Sequence, residues 1–433
     1  MRSWITVAAM LMLTLPASVV SAYAQAKPNI LLIIADDMGL DASPCYAVGN
    51  NAAPMPNLEK LCEQGVVFEN AYAAPTCSPT RATIMTGRYG FRTGVGGAIT
   101  PGNNVGLSAD ETSLFDVLSD EGYASALIGK WHLADQGGSL DHPTELGVSD
   151  FYGIYSGTIR DYYHWEVVEN GEMRAVSGYT TTVFTDRAIN WIAEQEAPWF
   201  LWLAYNAPHS PFHLPPSELH GYGDLPTDET SIRQNRLPYY NAALQALDTE
   251  MGRLLRSLTE ETRNNTIVIF IGDNGTPGQV ARQYYGERGA KGGIFEGGTH
   301  VPLIVTGPEV ENGRNTSLVN STDLFATIAS LSGADMQTTD AFDLRSALAG
   351  GESARDHVYV EHFTNETPRG RGTLGWAIRD DRYKLVVVEG VQPMLFDLEA
   401  DPFEKVDLLA EGGSEAAQEI TRELLIAHEQ LRE

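Results

Sequence analysis

Positive charge is scarce in this sequence. The 433 residues include 29 lysines and arginines against 57 aspartates and glutamates, which gives a formal net charge of -28. Nucleic-acid binding requires a basic surface, so the composition argues against that class of partner. An acidic surface favours solubility. If the substrate is an anion, a local cluster of cations must overcome the field of the whole chain.

The sequence also lacks low-complexity tracts, internal repeats and, beyond residue 26, any apolar stretch long enough to span a bilayer. Residues 1–26 are different, because Arg2 is their only charge and an apolar run from Trp4 to Val20 precedes small-residue cleavage sites. This pattern predicts a signal peptide and export to the periplasm or the medium. A membrane anchor is the alternative, but the run is short and Pro16 interrupts it. Cleavage would leave a net charge near -29, since only Arg2 is lost.

What remains is a chain of ordinary globular composition, 43% hydrophobic and 20% charged, long enough for one large or two unequal domains. Apolar strand patterns alternate with helix patterns, which is typical of an α/β fold with a mainly parallel sheet flanked by helices. After about residue 350 the pattern changes to short strands followed by one amphipathic helix. We therefore predict a domain of residues 27–350 and a C-terminal subdomain of residues 351–433 with a small antiparallel sheet.

Polar residues repeatedly follow the predicted strands. They are Asp36 and Asp37, Lys130 and His132, His209, and Asp273 and Asn274. Ligands bind outside the carboxyl ends of strands in open α/β sheets, so these side chains are expected to converge. In an extended segment, Lys130 and His132 would project to the same side.

Asp36, Asp37, Asp273 and Asn274 offer only oxygen ligands. Three carboxylates and an amide suit a hard divalent cation, Ca²⁺ before Mg²⁺, and disfavour zinc. The alternative is that each pair merely forms a turn.

The run Cys77-Ser78-Pro79-Thr80-Arg81 predicts a helix N-terminus, because proline is favoured in the first turn. Free amides and the helix dipole favour an anion there, and Arg81 lies one turn further on. The alternative is a buried structural cysteine. Lys291 lies in a glycine-rich loop that lacks the P-loop pattern.

Eight segments resemble the formylglycine-dependent (type I) sulfatases, arylsulfatase-like members of the alkaline phosphatase superfamily. They occur in the family's order: NILLIIADDMG, CSPTRATIMTGR, GKWHL, NAPHSP, GDNG, KGGIFEGGTHVP, IRDDRYKLVVV and LFDLEADPFEKVDL. The resemblance covers most of the chain and implies the alkaline-phosphatase-like fold. It also implies hydrolysis of an aryl or carbohydrate sulfate, by an enzyme activated by a formylglycine-generating partner.

The resemblance implies a role for each motif residue. Cys77 would be the formylglycine precursor, whose aldehyde hydrates to a geminal diol and attacks sulfur. The Ca²⁺ ligands would be residue 77 with Asp36, Asp37, Asp273 and Asn274. The catalytic and sulfate-binding residues would be Arg81, Lys130, His132, His209 and Lys291. A phosphonate monoester or phosphodiester hydrolase using the same site is the alternative, and a binding protein that had lost catalysis would lack some of these residues.

If Cys77 is converted, Cys45 and Cys62 remain as an even pair. They could form a disulfide, or they could be two free buried thiols.

The leaving group and the oligomeric state are left open by the sequence. Two groups of side chains could line a subsite or could simply pack. They are Tyr152, Tyr155, Tyr162, Tyr163, His164 and Trp165 in a predicted loop region, and Arg282, Tyr284, Tyr285 and Arg288. His213 is a further candidate for that subsite, and His300 departs from the family pattern.

Overall fold

A computed structural model describes residues 27–48, 52–100, 105–135, 137–196, 198–364 and 374–433. Within these residues the strands are β1 Asn29–Ala35, β2 Val66–Tyr72, β3 Ala124–Lys130, β4 Phe151–Ile154, β5 His164–Glu169, β6 Glu172–Ser177, β7 Trp199–Tyr205, β8 Thr266–Gly272, β9 Leu303–Thr306, β10 Gly313–Asn320, β11 Val358–His362, β12 Gly375–Arg379, β13 Tyr383–Val388 and β14 Met394–Asp397. The α-helices are α1 Pro56–Gln64, α2 Cys77–Thr86, α3 Gly90–Thr93, α4 Leu114–Asp120, α5 His142–Glu145, α6 Thr180–Ala193, α7 Glu229–Gln234, α8 Leu237–Ser257, α9 Glu260–Asn264, α10 Gly278–Tyr285, α11 Glu296–Thr299, α12 Asp323–Ser332, α13 Arg345–Leu348 and α14 Glu415–Arg432.

The first ten strands form one sheet in the order β10-β2-β9-β8-β1-β7-β3-β4-β5-β6. The strands β8, β1, β7, β3 and β4 run parallel to one another, as do β10 and β2. The strand β9 pairs antiparallel with β8 and β2, and β5 pairs antiparallel with β4 and β6. The mainly parallel sheet predicted from the sequence is therefore confirmed. Parallel order brings the carboxyl ends of the central strands to one edge, where ligands bind in such sheets.

Strand β1 shows why the centre of this sheet is stable. All seven of its residues are buried. Ile30, Leu32 and Ile34 belong to one hydrophobic core, while Leu31 and Ile33 belong to the core on the opposite face. Because both faces of this strand are covered, its apolar residues do not alternate with polar ones, and its sequence is the continuous apolar run NILLIIA.

The strands β11 to β14 form a separate antiparallel sheet against which α14 packs, as predicted. The division of the chain at about residue 350 stays a prediction. The predicted signal peptide, residues 1–26, lies outside the described residues. Among those described, no helix is both long and apolar enough to cross a membrane.

Charged residues join the two sheets, and we call Tyr72, Glu296, Arg379, Lys384 and Glu404 the junction network. Lys384 Nζ lies 2.8 Å from Glu296 Oε1 and 3.0 Å from Glu404 Oε1. The Tyr72 hydroxyl donates to Glu296 Oε2 at 2.8 Å and accepts from Arg379. All five residues are buried. Buried charges need such mutual partners, because each alone would lose its hydration without compensation.

Two sequence expectations are settled by the fold. Cys45 and Cys62 form a disulfide, and Cys77 is free and buried. The predicted loop that would hold Tyr152, His164 and Trp165 is wrong for these three residues, because they lie in β4 and β5. Short strands at a sheet edge carry too few alternating residues for their pattern to stand out.

Candidate active site

Cys77 is the first residue of α2. Thr76 before it is extended, with φ -143° and ψ 161°, and Pro79 occupies the first turn, as predicted. Gly87 closes the helix at φ 67°, a left-handed conformation that glycine adopts without a Cβ clash. Every residue of α2 is buried. The helix therefore delivers residue 77, with its first-turn amides, into the interior of the protein.

The two carboxylate pairs meet because their strands are neighbours. Ala35 at the end of β1 is in register with Gly272 at the end of β8. The Asp37 amide donates to Asp273 Oδ1 at 3.0 Å, and Asn274 Nδ2 donates to Asp37 Oδ1 at 2.8 Å. Asp37 itself has a φ of 74°. The sheet edge thus holds Asp36, Asp37, Asp273 and Asn274 together, and all four are buried.

The thiol of Cys77 faces this carboxylate cluster. Its Sγ lies 3.3 Å from Asp36 Oδ1, 3.9 Å from Asp37 Oδ1 and 3.6 Å from Lys291 Nζ. Burial, followed by the charges of Asp273 and Asp36, raises the pKa of the thiol well above its usual value. The cysteine side chain is therefore protonated and donates to Asp36 rather than acting as a thiolate.

Three cations offset the carboxylates. Lys130 Nζ lies 2.6 Å from Asp36 Oδ2, Arg81 donates to Asp273 Oδ2 at 2.7 Å, and Lys291 forms an ion pair with Asp37. Burial alone would raise the pKa of Asp36, but Lys130, His209 and Arg81 hold it below its usual value. The pKa of Asp37 is lowered against burial by Lys291 and His209. Both carboxylates are thus kept ionised.

His132 presents one free nitrogen to the centre. Its Nε2 lies 2.9 Å from the Ile99 carbonyl, which can only accept, so Nε2 carries the proton. Nδ1 is buried and has no hydrogen-bond partner among the described residues. Burial and the Lys130 charge hold the pKa of His132 well below its usual value. A Cβ on Gly157 would lie 2.2 Å from His132 Nε2, so only glycine fits against this ring.

The expectation that residues 130 to 132 are extended is wrong. Lys130 ends β3, but His132 has a φ of 60°, which is a left-handed and not an extended conformation. Both residues still act on the same centre, because the Lys130 charge is among the main causes of the shifted pKa of His132.

His209 reaches the centre from the loop after β7. Its Nδ1 lies 2.6 Å from the Ser210 carbonyl and therefore carries the proton, while Nε2 lies 3.7 Å from Asp37 Oδ2. Burial and the Lys291 charge lower the pKa of His209, although Asp37 and Asp36 oppose this. The free nitrogen of His209 thus faces the carboxylates.

The residues present fit a divalent cation. Asn274 Oδ1 is buried and has no hydrogen-bond partner among the described residues, as expected of an oxygen made to ligate a metal. Ligand atoms of Asp36, Asp37, Cys77 and His209 lie within 4.8 Å of one another. Asp273 is outside this tightest group, since its carboxylate contacts Arg81 and the Asp37 amide.

Two tyrosines support the centre, and their role was not evident in the sequence. The Tyr240 hydroxyl donates to the Asp37 carbonyl at 2.8 Å. The Tyr162 hydroxyl lies 2.9 Å from the Asn206 carbonyl and 2.6 Å from that of His209. The sequence left open whether Tyr162 lines a subsite or simply packs, and in the structure it is buried under the His209 loop. Hydroxyls that bind backbone carbonyls leave no signature in a residue pattern.

Other candidates for substrate contact have structural partners. His213 stacks on Tyr162 at 3.8 Å, and its two nitrogens face the Pro211 carbonyl and the Tyr179 hydroxyl.

His300 contacts Glu296 at 2.9 Å and the Glu69 carbonyl at 2.8 Å. Tyr285 is buried. The Arg288 guanidinium donates to the Glu404 carbonyl at 2.9 Å. The side chain of Arg282 lies outside the described part of the structure.

The fold and this carboxylate–cation centre define an alkaline-phosphatase-like hydrolase, and solved structures agree. The crystal structure of Ps i-CgsB superimposes with a TM-score of 0.80 at 26% identity, covering 93% of this chain and 92% of that one. This likeness confirms the predicted fold.

Sequence comparison gives the family. The sulfatase profile matches residues 28–334, so the chain belongs to the sulfatase family and is a sulfuric ester hydrolase. It is 27% identical to arylsulfatase G of Mus musculus over 92% of this chain and 85% of that protein. It is 32% identical to N-acetylgalactosamine-6-sulfatase of Canis lupus familiaris over 77% of this chain and 68% of that protein.

Proposed function

We propose that residue 77, converted from cysteine to formylglycine, is the nucleophile of a calcium-dependent hydrolase of aryl or carbohydrate sulfates. The observation that carries the proposal is the position of Cys77. Its Sγ lies 3.3 Å from Asp36 Oδ1 and 3.6 Å from Lys291 Nζ, at a buried helix N-terminus. Asp36, Asp37 and Lys291 contact its sulfur, although they come from loops that are distant in the chain.

Asp36, Asp37, Asp273 and Asn274 would hold the cation together with residue 77. Conversion of Cys77 replaces sulfur by oxygen, which leaves a mainly oxygen donor set suited to Ca²⁺, with Mg²⁺ as the alternative. Bound there, the ion would neutralise negative charge on the sulfuryl oxygens and lower the pKa of an oxygen bonded to it. The unpartnered Asn274 Oδ1 supports this ligand set.

The chain's own cations would hold the sulfate group. Lys130 pairs with Asp36 and Lys291 pairs with Asp37, and both ammonium groups would also bind the sulfuryl oxygens. Arg81 is fixed by Asp273 and by the Lys130 carbonyl, each at 2.7 Å, and its Nε has no hydrogen-bond partner among the described residues. Preorganised charges of this kind contribute most where water is excluded.

The two histidines would move the protons. With its Nδ1 proton held by the Ser210 carbonyl, His209 would act as the imidazolium and pass the second proton, carried on Nε2, to the departing alcohol; Lys291 is the alternative donor. His132 would accept a proton at Nδ1 from the hydroxyl that remains on residue 77, because its Nε2 is already bound to Ile99. The formylglycine hydrate supplies both hydroxyls: one attacks sulfur, and loss of a proton from the other releases sulfate.

The test is a screen for released sulfate on aryl sulfates and sulfated sugars. The status of residue 77 is first determined by mass spectrometry of its peptide. Converted protein should release sulfate with saturable kinetics and lose activity on treatment with a calcium chelator. Converted protein that cleaves none of these esters would overturn the proposal.

Assays of the same kind distinguish sulfate hydrolysis from the alternative, hydrolysis of phosphonate monoesters or phosphodiesters. Phosphonate monoesters and phosphodiesters are also tetrahedral anionic esters, so the charged centre hardly distinguishes them from sulfates. We expect kcat/KM to be higher for an aryl sulfate than for an aryl phosphonate with the same leaving group. The reverse order would assign the chain to phosphonate hydrolysis.

Export to the periplasm or the medium, after cleavage near residue 26, belongs to the same proposal. The Cys45–Cys62 disulfide supports it, since disulfides persist in oxidising compartments. Activation would depend on a formylglycine-generating enzyme of the host.

A further inference from the structure

A basic cavity lies at the N-terminal ends of α8 and α10. It has a volume of about 260 Å³ and is bordered by residues before α8, at its start and at the start of α10. They are Arg233, Gln234, Asn235, Arg236, Leu237, Gln279 and Val280. Although the chain has 57 acidic residues, no carboxylate is among them. We call this the arginine cavity.

The charges of the arginine cavity are available to a ligand. Arg236 forms no hydrogen bond or ion pair through its side chain within the described part of the chain. Arg233 pairs with Glu229 at 3.2 Å, but their side chains are 60% and 80% exposed. An exposed pair of this kind contributes little, so an anion can displace it. Most other arginines, such as Arg174, Arg187 and Arg382, hold a carboxylate.

The N-termini of α8 and α10 add to the positive potential of the arginine cavity, and among the described helices only the C-terminus of the six-residue α7 opposes them. Leu237 begins the 21-residue helix α8, and Gln279 and Val280 lie in the first turn of α10. The N-terminus of a helix carries partial positive charge. Side-chain amides of Gln234, Asn235 and Gln279 can donate hydrogen bonds as well. The cavity therefore offers charge and donors together, which suits an oxyanion.

Both helices also reach the candidate active site. On α8, the Tyr240 amide donates to the Arg236 carbonyl, so the two residues are one turn apart, about 5.4 Å along the axis. The Tyr240 hydroxyl contacts the Asp37 carbonyl at 2.8 Å. Helix α10 follows the strand end that carries Asp273 and Asn274. A ligand that spans a few sugar units could contact both places.

We propose that the arginine cavity binds a second anionic group of the substrate while the ester to be cleaved lies at residue 77. The substrate class is then an oligosaccharide with more than one negative charge, a second sulfate or a carboxylate. This inference rests on the proposed function for the position of the cleaved ester. It explains how a chain of net charge -28 holds a polyanion outside its catalytic centre.

The test compares small and polyanionic substrates in Arg236→Gln and in the double variant Arg233→Gln/Arg236→Gln. The substrates are an aryl monosulfate, a monosulfated disaccharide, its disulfated counterpart, and a monosulfated disaccharide with a uronate. Loss of one or two charge-assisted contacts should lower kcat/KM on the doubly charged sugars about tenfold to a hundredfold, through KM. On the aryl monosulfate the change should stay within about twofold.

The control is Arg256→Gln. Arg256 lies near the other end of α8 and donates to Asn57 Oδ1 at 3.2 Å. Its substitution changes the net charge as much as Arg236→Gln does, but leaves the arginine cavity intact. It should leave all four substrates unaffected. The disulfated and uronate sugars show whether the site takes sulfate or carboxylate.

Equal loss on all substrates in the double variant, or no loss on any, would overturn the inference. Calorimetry separates it from the proposed function, because Cys77→Ala protein can bind the disulfated sugar without turning it over. Affinity should fall about tenfold or more when Arg236→Gln is added to this background. Undiminished affinity would refute the arginine cavity as a subsite even if the enzyme proved to be an active sulfatase, and an inactive wild type would leave this binding test valid.

Discussion

The candidate active site and the junction network both bury several charges, but they differ in how the buried polar atoms are paired. In the junction network, Glu296 contacts Lys384 at 2.8 Å and Tyr72 at 2.8 Å, and Glu404 is 3.0 Å from Lys384. In the active site, Arg81 Nε, His132 Nδ1 and Asn274 Oδ1 are buried without hydrogen-bond partners among the described residues. Buried polar groups are normally paired, so these three atoms are evidence of a ligand.

The comparison teaches that burial of charge does not by itself mark a catalytic centre. Lys291 and Glu296 are five residues apart, and each forms an ion pair, although Lys291 is 22% exposed and Glu296 is buried. Glu404 Oε1 in the junction network also lacks a hydrogen bond among the described residues, but it lies 3.0 Å from Lys384 Nζ, whereas Asn274 Oδ1 in the active site has neither a hydrogen bond nor a cation beside it there. We therefore expect substitutions in the active site to reduce turnover and substitutions in the junction network to reduce stability.

The largest effect is expected from Cys77→Ala. Removal of the proposed nucleophile should lower kcat about 10⁴-fold or more while the protein stays folded. Steady-state sulfate release and circular dichroism check the two parts of this statement. If the variant kept activity comparable to that of the parent, the role of residue 77 would be wrong.

Next is His132→Gln, which should reduce turnover by about 10²- to 10⁴-fold. Because His132 is proposed to act after the alcohol has left, a burst of alcohol equal to the enzyme concentration should remain. His209→Asn should instead slow the burst itself, and more so for poor leaving groups. Rapid-quench measurements distinguish the two, and loss of the burst in His132→Gln would contradict the assigned order.

The third effect falls on stability. Lys384→Met leaves the Glu296 and Glu404 carboxylates buried without their cation, so we expect a loss of about 3–5 kcal/mol in the free energy of unfolding. The folded fraction should keep kcat/KM within about threefold. Lys405→Met, an exposed lysine of the same subdomain, is the control and should change stability by less than about 0.5 kcal/mol. Denaturant unfolding measures both, and a selective loss of kcat would place the junction network in catalysis.

The smallest effect is expected from Tyr162→Phe. Loss of one hydrogen bond to the His209 loop, about 0.5–1.5 kcal/mol, should lower kcat about twofold to tenfold with little change in KM. Tyr163→Phe is the matched control, since its hydroxyl contacts the Leu214 carbonyl at 2.7 Å and not His209. Equal effects of the two substitutions would show that Tyr162 does not position His209.

Much of the fold was predictable because buried parallel strands have continuous apolar sequences. The run NILLIIA predicted β1, and the polar residues after it predicted one edge of the site. The convergence of Asp36, Lys130, His209 and Asp273 follows from parallel strand order alone. The family and the enzyme class followed from the ordered motifs and are confirmed by the family match.

The rest depends on side-chain geometry that no pattern marks. The left-handed His132 and the hydroxyl of Tyr240 on Asp37 arise from packing between elements that are distant in the chain. Arg233 and Arg236 lie in a polar stretch that looks like ordinary surface. The cavity that they border appears only when α8 and α10 are placed side by side.

The burial of α2 limits when a modifying enzyme can reach Cys77. The Cys77 side chain is only 2% exposed and lies at the start of a helix that is itself enclosed. A modifying enzyme cannot reach that sulfur once the sheet and the helices have closed around it. The conversion proposed for residue 77 would therefore have to occur before folding is complete.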